Sequence, residues 1–292
     1  MSNLITGSAS DSDHVATSGR YVKVSDDLTI YYESVGNGPR TILFVPGWTM
    51  STEVFSKQFE HYRDSNEYTF IAFDPRGHGR TTKTIDGNFY EQHGRDLDLF
   101  IRSLNLKDIV LGGWSNAGFT ILSYVKQFGA DNLKGLVMLD AAPSGRVDDN
   151  KTEWGWFLRN DGDGFVEYLF QGSLLRRPEF NGEFARWMVS ETAITSDYLN
   201  WIDRIACMTS NDAAAVLTAS SFYQEYSADL ASLEGKVSLL YVTHPGWKEV
   251  VEHWAAKHTP SAKVAVMDKH MSFWENPEQL NIPLDEMLRQ LN

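Results

Sequence analysis

Ser115 stands in the stretch LGGWSNAGF (residues 111–119), surrounded by Gly112, Gly113, Ala117 and Gly118. The apolar run DIVLGGW leads into it and a helix-like pattern leads away. A hydroxyl at so tight a strand-to-helix turn points out of the fold, and only small neighbours leave room for the strained backbone that holds it there. A nucleophile needs that placement, but a serine hydroxyl is weak until a base takes its proton. His270, in DKHMSFW just past the apolar run KVAVMD, is the candidate base. An imidazole, with an ordinary pKa of about 6.5, can accept the proton and return it to a leaving group at neutral pH. The other histidines read differently. His78 in RGHG is expected to order a turn, and His14, His61, His253 and His258 to lie on the surface. His93 and His244 are within reach of a pocket, with no role assigned.

The elements that would carry these groups are legible as patterns. YVKVS and LTIYYESV alternate in period two around Asp26 and Asp27 and read as an antiparallel hairpin. TILFVPG, YTFIAFD, DIVLGGW, GLVMLDAAP and VSLLYVTHPG are nearly continuous in apolar residues, as expected of parallel strands buried on both faces. Several end in Gly, Pro or Asp, so loops gather at the carboxyl edge of the sheet, where open α/β sheets bind ligands. Leu97, Phe100, Ile101 and Leu104 fall at helical spacing before Ser115, and Ala117, Ile121, Tyr124, Val125 and Phe128 do so after it.

The alternation stops near Pro143 and resumes at Val237. The stretch between is rich in aromatics, among them Trp154, Trp156, Phe184, Trp187 and Trp201, and reads as helical with no strand run. The expected organisation is a polar N-terminal tail (1–20), an α/β core in two pieces (21–143 and 234–292) and an inserted helical cap (144–233).

Composition narrows the function. Of 292 residues, 42% are hydrophobic and 22% charged, enough for a substantial core. A net charge of −13 argues against nucleic acid and against anionic membrane surfaces. The single cysteine, Cys207, excludes an internal disulfide and a cysteine metal cluster, and points to a reducing, cytoplasmic setting. The first twenty residues have neither a basic start nor an apolar run, so they do not read as a signal peptide. His253 and His258 fall on a polar helix without metal-ligand spacing, and GNGP (residues 36–39) joins two strands and does not open a helix. No cofactor or metal is expected. The partner is a small-molecule substrate, and the oligomeric state stays open, a homodimer being one option.

Four stretches carry a family resemblance. GWSNAG (residues 113–118) fits the small-x-Ser-x-small nucleophile elbow, with Ala117 in place of the usual second glycine. LFVPGWTM stands where the family has its strand-end HG loop, with Pro46 replacing the histidine. FDPRGHGRT matches a DxxGxGxS turn, with Thr81 or Thr82 for the serine, and DKHMSFWENPEQLN matches a C-terminal histidine loop. Over residues 21–290 the chain resembles the α/β-hydrolase superfamily in its haloperoxidase- and esterase-like branch. That resemblance implies a mostly parallel central sheet flanked by helices. It also implies an oxyanion hole built from the backbone N–H groups of Trp48 and Asn116.

The sequence departs from the family at the acid that orients the histidine. Most members carry it after the strand that here reads VSLLYVTHPGW, yet Thr243, His244, Pro245 and Gly246 occupy that loop. The nearest carboxylate, Glu249, falls inside the next helix, and Asp268 is too close to His270 in sequence to reach its far ring nitrogen. Asp140, at the end of GLVMLD, is the candidate, because some members of the superfamily carry their acid at this strand end.

The expected function is therefore a serine hydrolase that cleaves an apolar or aromatic carboxylic ester or lactone through Ser115, His270 and Asp140. The alternative is a cofactor-free dioxygenase of N-heteroaromatic compounds, in which a His–Asp pair on the same fold deprotonates the ring. A non-catalytic receptor or scaffold is disfavoured by the intact Ser115/His270 pair.

Overall fold

The computed structural model describes residues 19–159 and 163–291, so the expected polar tail lies outside the described residues except for its last two positions. Among the described residues ten strands run in chain order: β1 (Arg20–Lys23), β2 (Thr29–Val35), β3 (Arg40–Val45), β4 (Tyr68–Phe73), β5 (Ile109–Trp114), β6 (Leu133–Leu139), β7 (Ser144–Val147), β8 (Gly155–Leu158), β9 (Ser238–Thr243) and β10 (Lys263–Val266). Eight of them form one sheet in the order β1-β2-β4-β3-β5-β6-β9-β10. The expected hairpin is β1 with β2, and β2 also pairs antiparallel with β4. Every pairing from β4 to β10 is parallel.

The near-continuous apolar runs become the central strands because both of their faces are covered. Alternate residues feed opposite sides: Leu43, Val45, Leu111 and Met138 pack into one core, and Ile42, Phe44, Val110 and Val137 into the other. On the first side lie Leu97 and Phe100 of α2 (Tyr90–Ser103) and Ile121 and Leu122 of α3 (Ala117–Phe128). Across the sheet sit Phe59 of α1 (Ser56–Tyr62) and, near the C-terminus, Leu280, Leu284 and Leu288. Burying both faces at roughly 25 cal/mol per Å2 is the main stabilising term, and it makes the sheet the rigid frame for whatever its loops carry.

Residues 144–233 lie between the neighbouring strands β6 and β9. The expectation that no strand occurs in this segment is corrected: β7 and β8 pair parallel, with Ser144 opposite Gly155 and Val147 opposite Leu158. Two four-residue strands parted by the polar stretch DDNKTE are too short to give a period-two signal. Gly155 permits the pairing, since a Cβ there would fall 2.4 Å from a methyl of Val147. Beyond them come α4 (Asp163–Leu175), α5 (Arg177–Met188), α6 (Ser196–Ala206), α7 (Asn211–Ser221) and α8 (Ser227–Ala231), followed outside the segment by α9 (Pro245–His258), α10 (Ser272–Glu275) and α11 (Glu278–Gln290). Among the described residues no helix is long and apolar enough to cross a membrane.

Candidate active site

Strand order, more than any local feature, assembles the site. β3, β5, β6, β9 and β10 are consecutive neighbours running the same way. Just past their carboxyl ends stand Trp48, Ser115, Asp140, His244 and His270 respectively. The chain order reverses where β3 lies between β4 and β5, and a crevice opens at such a reversal.

Ser115 links β5 to α3 with φ +57°, in the left-handed region. For a residue with a Cβ this costs on the order of 1–3 kcal/mol, tolerated because the surroundings over-determine it. Its own N–H donates to the carbonyl of Leu139 at 2.9 Å. A Cβ on Gly47 would lie 2.8 Å from the Cβ of Ser115, and one on Gly113 would lie 2.7 Å from the carbonyl oxygen of Ala117. The glycines are there because the turn is this tight.

The Oγ of Ser115 lies 3.0 Å from Nε2 of His270, and Nδ1 of His270 lies 2.6 Å from Oδ2 of Asp140. All three residues are buried. The loop that carries His270 is pinned by the indole of Trp114, whose Nε1 donates to the His270 carbonyl at 2.9 Å. Trp187 from α5 lies over the imidazole with ring centres 4.7 Å apart, and Trp156 and Phe184 approach at 5.9 and 6.2 Å.

Asp140 also has a left-handed backbone, φ +41°. Burial opposes a charge on it, but hydrogen bonds from His244 and His270 outweigh that and hold its carboxyl down at about 2. Its Oδ1 accepts the backbone N–H of His244 at 2.9 Å, and Nδ1 of His244 lies 2.8 and 3.0 Å from its two oxygens. One carboxylate thus holds two imidazoles. Sequence reasoning places His244 within reach of a pocket and assigns it no role. Its only signal was position: it fills the loop where the resemblance expects an acid, so the carboxylate from β6 is met there by donors from β9.

Trp48 and Asn116 face one cavity with Ser115. Among the described residues neither of their backbone N–H groups donates to another protein group. The indole of Trp48 is fixed separately, its Nε1 donating to the carbonyl of Ala214 at 3.0 Å and its ring lying 5.0 Å beneath the guanidinium carbon of Arg177. The cavity measures about 550 Å3, with Trp156, Leu169, Phe180, Phe184, Trp187 and Trp247 among its walls. His244, Tyr168, Glu183, Thr218 and Ser221 also line it, and Glu183 accepts the hydroxyl of Tyr168.

The remaining candidates lie apart. Glu249 is exposed on α9, and Asp268 is engaged with the side chain of Gln279. His78 lies with Nδ1 2.9 Å from the carbonyl of Arg76, and its buried neighbour His93 packs against it. Burial lowers both of these imidazoles to about 3, so they stay neutral. His61 pairs with Asp285, His253 is exposed, and His14 lies outside the described residues. Among the described residues no group of three or more His, Cys, Asp or Glu side chains is arranged to hold a metal ion.

A family profile described as the alpha/beta hydrolase fold matches residues 40–186, just over half of the chain. The chain belongs to the α/β-hydrolase family. Within that family it is 30% identical over 157 residues to the non-heme chloroperoxidase CPO-A1 of Kitasatospora aureofaciens, covering 53% of this chain and 54% of that one. The chain spans about half the length of such curated relatives. The bromoperoxidase of Bacillus anthracis superposes with a TM-score of 0.81 at 20% identity, covering 93% of this chain and 100% of that one. The esterase EaEST of Exiguobacterium antarcticum superposes with 0.80 at 19% identity, covering 93% and 99%. At these identities the two structures speak for the α/β-hydrolase fold alone.

Proposed function

We propose that this α/β-hydrolase cleaves carboxylic esters or lactones of apolar or aromatic character through an acyl-enzyme on Ser115. The observation that carries the reading is the hydrogen-bonded line from Ser115 Oγ through His270 to Asp140 at the edge of an aromatic cavity. His270 takes the Oγ proton on Nε2 while Oγ attacks the carbonyl carbon. The bond to the leaving oxygen then breaks, and His270 returns the proton to it. Water repeats the cycle and releases the acid. Ionised Asp140 fixes the Nδ1–H tautomer and stabilises the imidazolium. The N–H groups of Trp48 and Asn116 meet the developing oxyanion, each such donor being worth about 3 kcal/mol.

Residues 144–233 act as a cap that supplies Trp156, Phe184 and Trp187 around His270. A cytoplasmic location belongs to the same proposal, on the strength of the single cysteine.

The test is labelling with a fluorophosphonate probe together with hydrolysis of a panel of p-nitrophenyl esters, aromatic esters and lactones, on the parent chain and on Ser115→Ala. Labelling and hydrolysis that both vanish in Ser115→Ala support the reading. An unlabelled parent chain that consumes oxygen with a hydroxyquinolone would replace it by the dioxygenase reading, in which His270 deprotonates the ring.

A further inference from the structure

We propose that His244 forms a polar specificity subsite in this cavity, accepting on Nε2 a hydrogen bond from a hydroxyl or N–H group of the substrate. The proposal rests on the hydrolase reading for what happens to the bound molecule, and on geometry for the subsite itself.

The ring is fixed from one side. Nδ1 sits 2.8 and 3.0 Å from the two oxygens of Asp140, and the backbone N–H of the same residue adds a third bond at 2.9 Å. A carboxylate only accepts, so the proton lies on Nδ1. The Nε2 of a neutral imidazole is then a bare acceptor. Among the described residues the bonds of His244 run through its backbone N–H and Nδ1, and none through Nε2. His244 lines the cavity, its side chain 22% exposed, with the rings of Trp247 and Trp187 centred 5.1 and 6.4 Å away. A Cβ on Gly246 would approach Nε2 to 3.1 Å, so the glycine keeps that edge uncovered.

An acceptor set among aromatic walls discriminates. A ligand that lacks a donor leaves it desolvated and unpaired, whereas one that carries a donor satisfies it. The cavity's carboxylate, Glu183, is a second acceptor. The two together favour neutral aromatic molecules bearing a hydroxyl or N–H and disfavour anionic ones.

Binding is measured by calorimetry on Ser115→Ala, so that the outcome does not depend on turnover. The probes are 2-naphthol and its methyl ether, 2-methoxynaphthalene, which differ in the donor. The expected result is about tenfold tighter binding of 2-naphthol, the worth of one net hydrogen bond. Adding His244→Asn, whose amide can replace Nδ1 at Asp140 but cannot reach the Nε2 position, should bring the ratio near one. His244→Gln, which carries an amide to the Nε2 position, should restore part of the preference. Equal affinities in the Ser115→Ala protein, no binding of 2-naphthol, or a preference that survives His244→Asn would each overturn the subsite. Failure of the hydrolase reading has a different signature: Ser115 unlabelled and no ester cleaved, with the binding preference intact.

Discussion

Oδ2 of Asp140 lies 2.6 Å from Nδ1 of His270, although β9 runs between the strands that carry them. The reach is possible because Asp140 leaves β6 in a left-handed conformation and its N–H donates to the carbonyl of Val242 on β9 at 2.7 Å. The acid thereby sits over the end of β9, where the loop of β9 offers it an imidazole in place of a competing carboxylate.

Asp140→Asn is expected to keep the fold and lower kcat about 10⁴-fold, since the amide favours the wrong tautomer of His270. Glu249→Gln, on the exposed face of α9, should leave the rate within twofold. The two variants assayed side by side decide the matter: a dead Glu249→Gln beside a healthy Asp140→Asn would reverse the assignment.

Ser115→Ala and Ser115→Gly should both abolish ester hydrolysis, but with different stabilities. At φ +57° glycine carries no Cβ penalty, so Ser115→Gly should be the more stable by about 1 kcal/mol. Denaturant unfolding compares them, and equal stabilities would mean that the turn is not strained.

Gly47→Ala should disable the site more than the fold. Its new Cβ would press within 2.8 Å of the Cβ of Ser115, displacing the serine hydroxyl from His270. A displacement of about 1 Å costs on the order of 10²-fold in rate. Measured kcat together with Tm checks this, and a full-rate Gly47→Ala would count against the packing argument.

Stability should fall on acidification in two stages. His78 and His93 are held neutral by burial at about 3, well below an unfolded imidazole, so the unfolded chain binds two protons that the folded one refuses as pH drops below about 6.5. Buried Asp74, raised to about 6, offsets one of them between about pH 6 and pH 4, because there its folded form holds the extra proton. The net is one proton, a loss of a few degrees in Tm per pH unit. His93→Gln should flatten that slope. Asp140, depressed to about 2, stabilises the fold above about pH 4, and that contribution is lost as pH falls from about 4 to about 2. A pH series of thermal melts tests both stages.

Much of this molecule is determined by sequence alone. Buried parallel strands need apolar residues on both faces, so β3, β5, β6 and β9 announce themselves as continuous runs. The turn at Ser115 has to be flanked by small residues, because Gly47 and Gly113 touch backbone or Cβ atoms that leave no room for a side chain. In the candidate site, His270 is read from a motif and Asp140 by elimination. Tertiary structure decided the rest. β7 and β8 are too short for their period to register, and each residue's partner lies eleven positions further along the chain, as Ser144 with Gly155 and Val147 with Leu158. The aromatic box around His270 draws Trp114 from β5, Trp156 from β8, and Phe184 and Trp187 from α5. The paired imidazoles on Asp140 exist because β6, β9 and β10 are neighbours. Periodicity reports how each residue is buried within its own element, whereas strand order is set by long-range packing, and it is strand order that brings these side chains to one edge of the sheet.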